Sequence, residues 1–145
     1  MDFNIVTEFE KKIAEFFGAP YAIAVDSCTH GVELSLIYSE TGEYTITVPK
    51  RTYLSIPFLA EKLGYYRRWK DIDWVDYYYL TKNVIDAAVL WKKDSYIPDT
   101  FMCVSFQYQK HLSLGRGGII LTDNKDAALQ LKKMSYDGRV PNIPW

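Results

Sequence analysis

Apolar side chains near the start of the chain repeat at the spacing of an amphipathic helix. These positions are Phe9, Ile13, Phe16 and Phe17. Thr7 and Glu10 have the spacing of a capping box, and Gly18 is a typical residue for the C-terminal end of a helix. The pattern therefore predicts a helix that begins after Thr7 and ends at Gly18.

Two strand–helix units follow this helix. Residues 21–25 are apolar on both faces, which favours a buried strand of a parallel sheet, and the polar turn 26–31 leads into a helix. Residues 44–48 alternate in β-rich side chains, and a helix is predicted from about residue 53 to residue 63. These units predict an α/β fold.

The second half of the chain carries further strand-like segments, at residues 83–91, 101–106 and 117–122. Asn124 is the predicted cap of a last helix over residues 125–134, followed by a proline-containing tail. Residues 65–81 are aromatic and charged with mixed periodicity, so the pattern assigns no strand there.

Composition and charge bound the class of protein. The chain has 145 residues, of which 48% are hydrophobic and 24% charged, so we expect one globular domain over residues 1–145. A formal charge of −1 gives no general attraction to nucleic acid or to an anionic membrane, and neither is an expected partner.

Cysteine usage and hydropathy bear on location. Cys28 and Cys103 lie far apart without a second pair, which argues against a disulfide framework and against a zinc site, so no metal is expected. The N-terminus has no apolar stretch typical of a signal peptide, and no run of about 18 apolar residues occurs. We therefore expect a soluble, cytoplasmic protein.

Asp86 is the only charged residue in the apolar run 83–91. Burying a carboxylate without a partner costs several kcal/mol, so this side chain needs a cation or hydrogen-bond donors. One interpretation is structural, with Asp86 at a strand end capping the next turn. The other is functional, with Asp86 pairing with a bound cationic group.

Two polar segments carry further candidate chemistry. Ser27 and Thr29 lie with free backbone amides at a predicted helix N-terminus, which is a potential anion site, although Thr29 also fits an ordinary N-cap. Lys110 lies in a loop that contains Gly115 and Gly117, where glycine permits close backbone approach. Most loop lysines are solvated, so this segment by itself is a weak signal.

Taken in order, these segments resemble the DegT/DnrJ/EryC1/StrS family of sugar aminotransferases, which are fold-type I enzymes that use pyridoxal 5′-phosphate (PLP). The matching blocks are "EFEKKIAEFFGAPYAIAVDSCTHGVELSL", "VPKRTYLSIPFLAEKLG", "VIDAA" and "SFQYQKHLSLGRGGIILTD". The last block begins Ser-Phe, has the lysine five residues after that serine, and ends Gly-x-Gly-Gly. Similarity extends over about residues 8–139.

The resemblance implies a fold and a set of site residues. The fold is a three-layer α/β sandwich with a mainly parallel, mixed sheet, a shortened version of the family's PLP-binding domain without its small C-terminal domain. Lys110 is the implied Schiff-base lysine and Asp86 the partner of the pyridine nitrogen, while Tyr53 stacks on the ring. The implied phosphate ligands are Ser27, Cys28, Thr29 and Ser105.

The implied activity is transfer of an amino group from an amino acid, with L-glutamate as the expected donor, to a nucleotide-linked keto sugar. The expected assembly is a homodimer, or a complex with a second polypeptide that completes the site. Related sugar dehydratases are disfavoured because they have histidine at the position of Lys110. Two alternatives stay open: a catalytically reduced PLP-fold domain that serves as a binding or partner subunit, and an unrelated α/β domain.

The sequence also departs from the family pattern. Val89 occupies the position at which the family usually has glutamine, and Cys28 replaces the glycine of the phosphate turn. Residues 71–82 stand in for a longer family segment. These departures concern the cofactor pocket and the substrate side of the site.

Overall fold

A computed structural model describes residues 4–39, 42, 44–140 and 143. The elements of these ranges are, in chain order, α1 (Asn4–Phe17), β1 (Tyr21–Val25), α2 (Cys28–Tyr38), β2 (Thr45–Pro49), α3 (Ser55–Leu63), β3 (Tyr66–Lys70), β4 (Tyr78–Tyr79), β5 (Val84–Asp86), β6 (Phe101–Ser105), β7 (Gly118–Thr122) and α4 (Lys125–Met134). None of the helices in these ranges is long and apolar enough to cross a membrane. Residues 141, 142, 144 and 145 of the predicted tail lie outside the described residues.

A mixed sheet forms the centre of the fold, with strand order β1-β7-β6-β5-β4. The β5–β6 pair is parallel, whereas β1–β7, β6–β7 and β4–β5 are antiparallel. Strands β2 and β3 form a separate parallel pair, and the Thr47 amide donates to the Leu80 carbonyl at 2.8 Å to connect this pair with the main sheet. The α/β class and the mixed sheet are confirmed, although antiparallel pairs outnumber parallel ones among the described strands.

Strand β1 is where the predicted parallel pairing is wrong. It pairs antiparallel with β7, with Ile23 opposite Ile120. Since β7 is also antiparallel to β6, strands β1 and β6 run in the same direction with β7 between them. An apolar strand pattern reports burial on both faces, and it carries no information on the direction of the neighbouring strand.

Two apolar clusters cover the two faces of the sheet, so the three-layer arrangement is present. Helices α2, α3 and α4 pack on one face against residues such as Cys103 and Ile120. Helix α1 packs on the other face with Trp91, against Met102 and Leu121. Neighbouring residues of β6 and β7 therefore point into different clusters, as the pleat requires.

Helix α1 extends at least back to Asn4, so the predicted start at a Thr7 capping box is wrong. Glu10 does not cap this helix because its carboxylate is buried and accepts a hydrogen bond from the Ala24 amide at 2.7 Å. The same carboxylate pairs with the Lys132 ammonium of α4. Glu10 thus connects α1 and α4 to the edge strand β1.

The remaining predicted elements agree with the structure, except at β5. Gly18 and Gly64 end α1 and α3 with φ values of 72° and 74°. Strand β5 stops at Asp86, although the sequence predicts strand to residue 91. The chain turns there because Asp86 accepts a hydrogen bond from the Ala88 amide at 3.0 Å.

Candidate functional site

The carboxyl ends of β1, β5 and β6 meet at one edge of the sheet, and a cavity of about 270 Å³ opens there. All the residues that the sequence proposes for the site line this cavity, namely Ser27, Cys28, Thr29, Tyr53, Asp86, Ser105 and Lys110. Ligands of α/β proteins commonly bind at such an edge. The fold therefore brings together every candidate residue from four separate segments of the chain.

The polar turn after β1 forms the N-terminus of α2. Ser27 is the N-cap, and its hydroxyl accepts a hydrogen bond from the His30 amide at 3.1 Å. The alternative that Thr29 is the N-cap is therefore wrong; its hydroxyl donates to the Ser55 hydroxyl at 2.8 Å. Because the first amides of a helix lack partners within the helix, this end of the cavity favours an anion.

Gly118 permits the polar turn to lie directly against the start of β7. A Cβ atom at this position would be 2.5 Å from the Cys28 nitrogen and 2.6 Å from the Ser27 carbonyl carbon. Both neighbours are backbone atoms, which cannot move aside without displacing the turn. The glycine-bearing loop thus shapes the anion end of the cavity.

Asp86 lies at the end of β5 with only 6% of its surface exposed. One carboxylate oxygen, Oδ1, accepts from the Ala88 amide, and Oδ2 accepts from the Tyr78 hydroxyl at 2.8 Å. Burial raises the pKa of Asp86 above its ordinary value, although both hydrogen bonds and the charge of Lys110 act in the opposite direction. The structural interpretation of Asp86 as a turn cap thus accounts for Oδ1 alone, and Oδ2 is bonded to Tyr78 instead.

Tyr78 contacts the site through Asp86, and no sequence pattern predicts a role for it. Its side chain is 4% exposed, and its hydroxyl lies 2.6 Å from the Thr52 hydroxyl as well as 2.8 Å from Asp86. Burial raises the pKa of Tyr78 well above its ordinary value, so the phenol keeps its proton. The signal that identifies Tyr78 is the β4–β5 register, which sets it opposite Asp86.

Lys110 is half-buried in the turn after β6, and its side chain lines the cavity. Its backbone amide donates to the Gln107 carbonyl at 2.8 Å. Burial raises the pKa of Asp86 and of Cys28, and the positive charge of Lys110 opposes this rise to a smaller extent. Lys110 therefore differs from a solvated loop lysine.

The other pocket residues differ in burial. Ser105 is buried, and its hydroxyl accepts from the Gln107 amide at 3.3 Å. Tyr53 is 77% exposed at the rim of the cavity. Burial raises the pKa of the Cys28 thiol well above its ordinary value, so Cys28 is a neutral wall of the cavity at physiological pH.

Sequence comparison identifies the family. The model of the DegT/DnrJ/EryC1/StrS aminotransferase family matches residues 2–99, which include the polar turn, Tyr53 and Asp86. The chain belongs to this family. Its members are PLP-dependent aminotransferases, and the matched range ends before Ser105 and Lys110.

Individual relatives agree with this assignment. The 3-amino-5-hydroxybenzoate synthase of Amycolatopsis mediterranei (strain S699) is 35% identical over 85 residues, which cover 58% of this chain and 22% of the synthase. Among solved structures, AtS13 from Actinomadura melliaura superposes with a TM-score of 0.81 at 18% identity, covering 95% of this chain and 51% of AtS13. DesI, solved in the presence of its TDP-sugar product, superposes with a TM-score of 0.71 at 17% identity, covering 95% of this chain and 46% of DesI.

These superpositions establish the fold and its extent. At identities under 20%, they support a common fold with the aminotransferases. The chain spans about half the length of these two solved structures.

Proposed function

We propose that this chain is the PLP-binding part of an aminotransferase that transfers an amino group from L-glutamate to a nucleotide-linked keto sugar. The observation that carries the proposal is a single cavity in which the Lys110 amine and the buried Asp86 carboxylate lie together beside the N-terminus of α2. Family membership gives these residue types their expected partner.

The chemistry of the lining residues fits PLP at both ends. Asp86 is a buried carboxylate whose pKa is raised by burial, and a protonated pyridine nitrogen is the cation that would compensate it. The hydroxyls of Ser27, Thr29 and Ser105 and the first amides of α2 form a donor set suited to a phosphate. When bound, PLP supplies an electron sink for the carbon that gains or loses the amino group.

The Lys110 amine has two roles in this proposal. The amine would hold PLP by condensing with its aldehyde with loss of water, as a nucleophilic lysine. When an amino donor displaces it, the Lys110 Nζ atom would be free to accept a proton from the donor carbon and return it. Among the described residues, Lys110 makes no ion pair with a carboxylate, which leaves its amine available for both roles.

The substrate end of the site requires a second wall. A cavity of about 270 Å³ lies just below the range of roughly 300–1,000 Å³ that is typical of small-molecule sites. A nucleotide sugar would therefore extend past the rim, where Tyr53 is exposed. We propose that a second copy of the chain, or another polypeptide, covers this rim, and that the protein works in the reducing cytoplasm, where the free thiols of Cys28 and Cys103 persist.

Absorbance titration with PLP tests the cofactor assignment. The wild-type protein is expected to produce the visible band of PLP bonded to an amine, and Lys110→Met is expected to abolish it. Lys93→Met is the matched control, because Lys93 is an exposed loop lysine outside the cavity. Equal bands in Lys110→Met and wild type would contradict the assignment.

A catalytically reduced PLP-binding domain is the second candidate. The replacement of the phosphate-turn glycine by Cys28 favours it. An assay with L-glutamate and a nucleotide 4-keto sugar separates the two candidates. Release of 2-oxoglutarate that depends on Lys110 supports the aminotransferase, whereas PLP binding without turnover supports the reduced domain.

A further inference from the structure

Three side chains from three segments form a hydrogen-bonded series that ends on Asp86. Tyr78 donates to Asp86 Oδ2 at 2.8 Å, and the Thr52 hydroxyl lies 2.6 Å from the same phenol. A phenol has one proton, and a carboxylate can only accept. The Tyr78 hydroxyl therefore donates its proton to Asp86, and it accepts a hydrogen bond from the Thr52 hydroxyl.

The surroundings hold the Tyr78 ring in place. Its centroid lies 4.9 Å from that of Trp74, whose indole nitrogen donates to the Arg51 carbonyl at 2.8 Å. Trp74 and Tyr78 both lie in residues 71–82, the segment expected from the sequence to stand in for a longer family segment. The phenol thus reaches Asp86 from a strand other than the one that carries the carboxylate.

We propose that Tyr78, supported by Thr52, is a positioning residue that orients the Asp86 carboxylate toward the pyridine nitrogen of PLP. This inference rests on the proposed function, because it assumes that PLP occupies the cavity. A carboxylate has about four lone-pair positions. Donors on both oxygens, Ala88 on Oδ1 and Tyr78 on Oδ2, restrain rotation of the carboxylate and leave positions for a third donor.

The series also connects two parts of the site. Thr52 precedes Tyr53, the residue proposed to stack on the cofactor ring. Asp86 is proposed to meet the nitrogen of the same ring. The Thr52–Tyr78–Asp86 series therefore couples the loop that bears the ring-stacking side chain to the residue that sets the protonation of the ring.

Burial disfavours the Asp86 anion, whereas the Ala88 amide, the Tyr78 hydroxyl and the charge of Lys110 favour it. The thiols of Cys28 in α2 and Cys103 in β6 have raised pKa values and stay neutral. Removing the Tyr78 hydroxyl therefore removes one of the few interactions that favour the Asp86 anion.

Carbon NMR of the protein without PLP measures this interaction directly. In samples labelled at the aspartate carboxyl carbons, the Asp86 signal is assigned by its loss in Asp86→Asn. Tyr78→Phe keeps the ring and is expected to raise the titration midpoint of Asp86. Tyr96→Phe is the control, because it removes another hydroxyl, bonded to the Thr100 carbonyl at 3.0 Å, away from the cavity. An unchanged Asp86 midpoint in Tyr78→Phe would overturn the proposal.

PLP affinity gives the second measurement. Tyr78→Phe leaves Oδ2 of Asp86 without its donor and the carboxylate free to rotate, so it is expected to weaken PLP binding by about tenfold. Thr52→Val, which leaves the phenol in place, is expected to weaken it less, and it serves as the test if Tyr78→Phe does not fold. Wild-type affinity in both variants overturns the positioning role, whereas a wild-type protein that takes up no PLP overturns the proposed function and this inference with it.

Discussion

At the scale of single residues, Asp86 connects stability with function. Its carboxyl group has a higher pKa in the folded chain than the ordinary value of 3.8 because burial disfavours the anion. A carboxyl of this kind binds protons on folding, so its contribution to stability falls as the pH rises from about 3.8 through the raised folded pKa. Burial of the Asp86 carboxyl therefore lowers the free energy of unfolding at neutral pH, and it places a buried anion in the cavity.

Asp86→Asn tests the direction in which the Asp86 contribution to stability changes with pH. The amide does not titrate, so the free energy of unfolding of Asp86→Asn relative to wild type should increase as the pH rises through that window. Any fixed loss from altered hydrogen bonds cancels in the pH dependence. Urea unfolding at a series of pH values measures the difference, with exposed Asp73→Asn as the control. A difference that shrinks with rising pH would refute the account.

Gly118 gives a second prediction at this scale. Gly118→Ala places a Cβ atom 2.5 Å from the Cys28 nitrogen, so the polar turn must move. We expect a loss of about 2–3 kcal/mol in the free energy of unfolding, together with weaker PLP binding. Gly138→Ala gives the cost of backbone strain alone, because its φ of 76° is strained for alanine and nothing lies within 4 Å of the new atom, whereas Gly118 has no left-handed φ. An unchanged free energy of unfolding in Gly118→Ala would show that the close approach has no cost.

Some candidate residues are unusual in their own local sequence, namely Asp86 in an apolar run and the hydroxyls of Ser27 and Thr29 after a strand. Lys110 is a weak local signal, and the family resemblance supplied its role together with Cys28, Tyr53 and Ser105. Tyr78 could not be found in this way. It is one tyrosine among several in an aromatic segment, and its role arises only from its register opposite Asp86.

At the scale of elements, the sequence predicts segments with strong periodicity and misses what depends on distant partners. Strands β6 and β7 are buried throughout, and both agree with the predicted strands. The direction of β1 relative to β7 depends on a segment more than 90 residues later, which a local apolar pattern cannot encode. Strand β4 has two residues, too few for any periodicity.

The Glu10–Lys132 pair gives the prediction at this scale. Lys132→Met leaves the Glu10 carboxylate buried without its cation, and we expect a loss of about 2–3 kcal/mol in the free energy of unfolding. The double variant Glu10→Gln with Lys132→Met should be less destabilised than Lys132→Met, since no charge is then buried. Exposed Asp73→Asn, which removes the partner of Arg51, should change stability by less than about 0.5 kcal/mol. Chemical denaturation of the variants measures these free energies of unfolding. A loss in the double variant equal to the sum of the two single losses would contradict the Glu10–Lys132 pairing.

At the scale of the whole molecule, the chain presents a cavity that is open at its rim and spans about half of the solved relatives. Phe58 is 67% exposed on α3, the helix whose first residues, Ser55 and Ile56, line the cavity, and we propose that a second chain covers this face. Phe58→Asp is expected to weaken self-association by at least tenfold without loss of helix content. Leu129→Asp is the matched control, because Leu129 is 57% exposed on α4. Sedimentation at several concentrations measures the effect, and equal association of both variants would argue against this face.

Covalent attachment of PLP to Lys110 is the step on which the proposed function depends, and borohydride trapping measures it. PLP-treated protein is reduced with borohydride, digested, and mapped by mass spectrometry. A single pyridoxyl label is expected on Lys110. It should be lost in Lys110→Met and retained in Lys93→Met. A label on other lysines with Lys110 unmodified, or no label at saturating PLP, would contradict it.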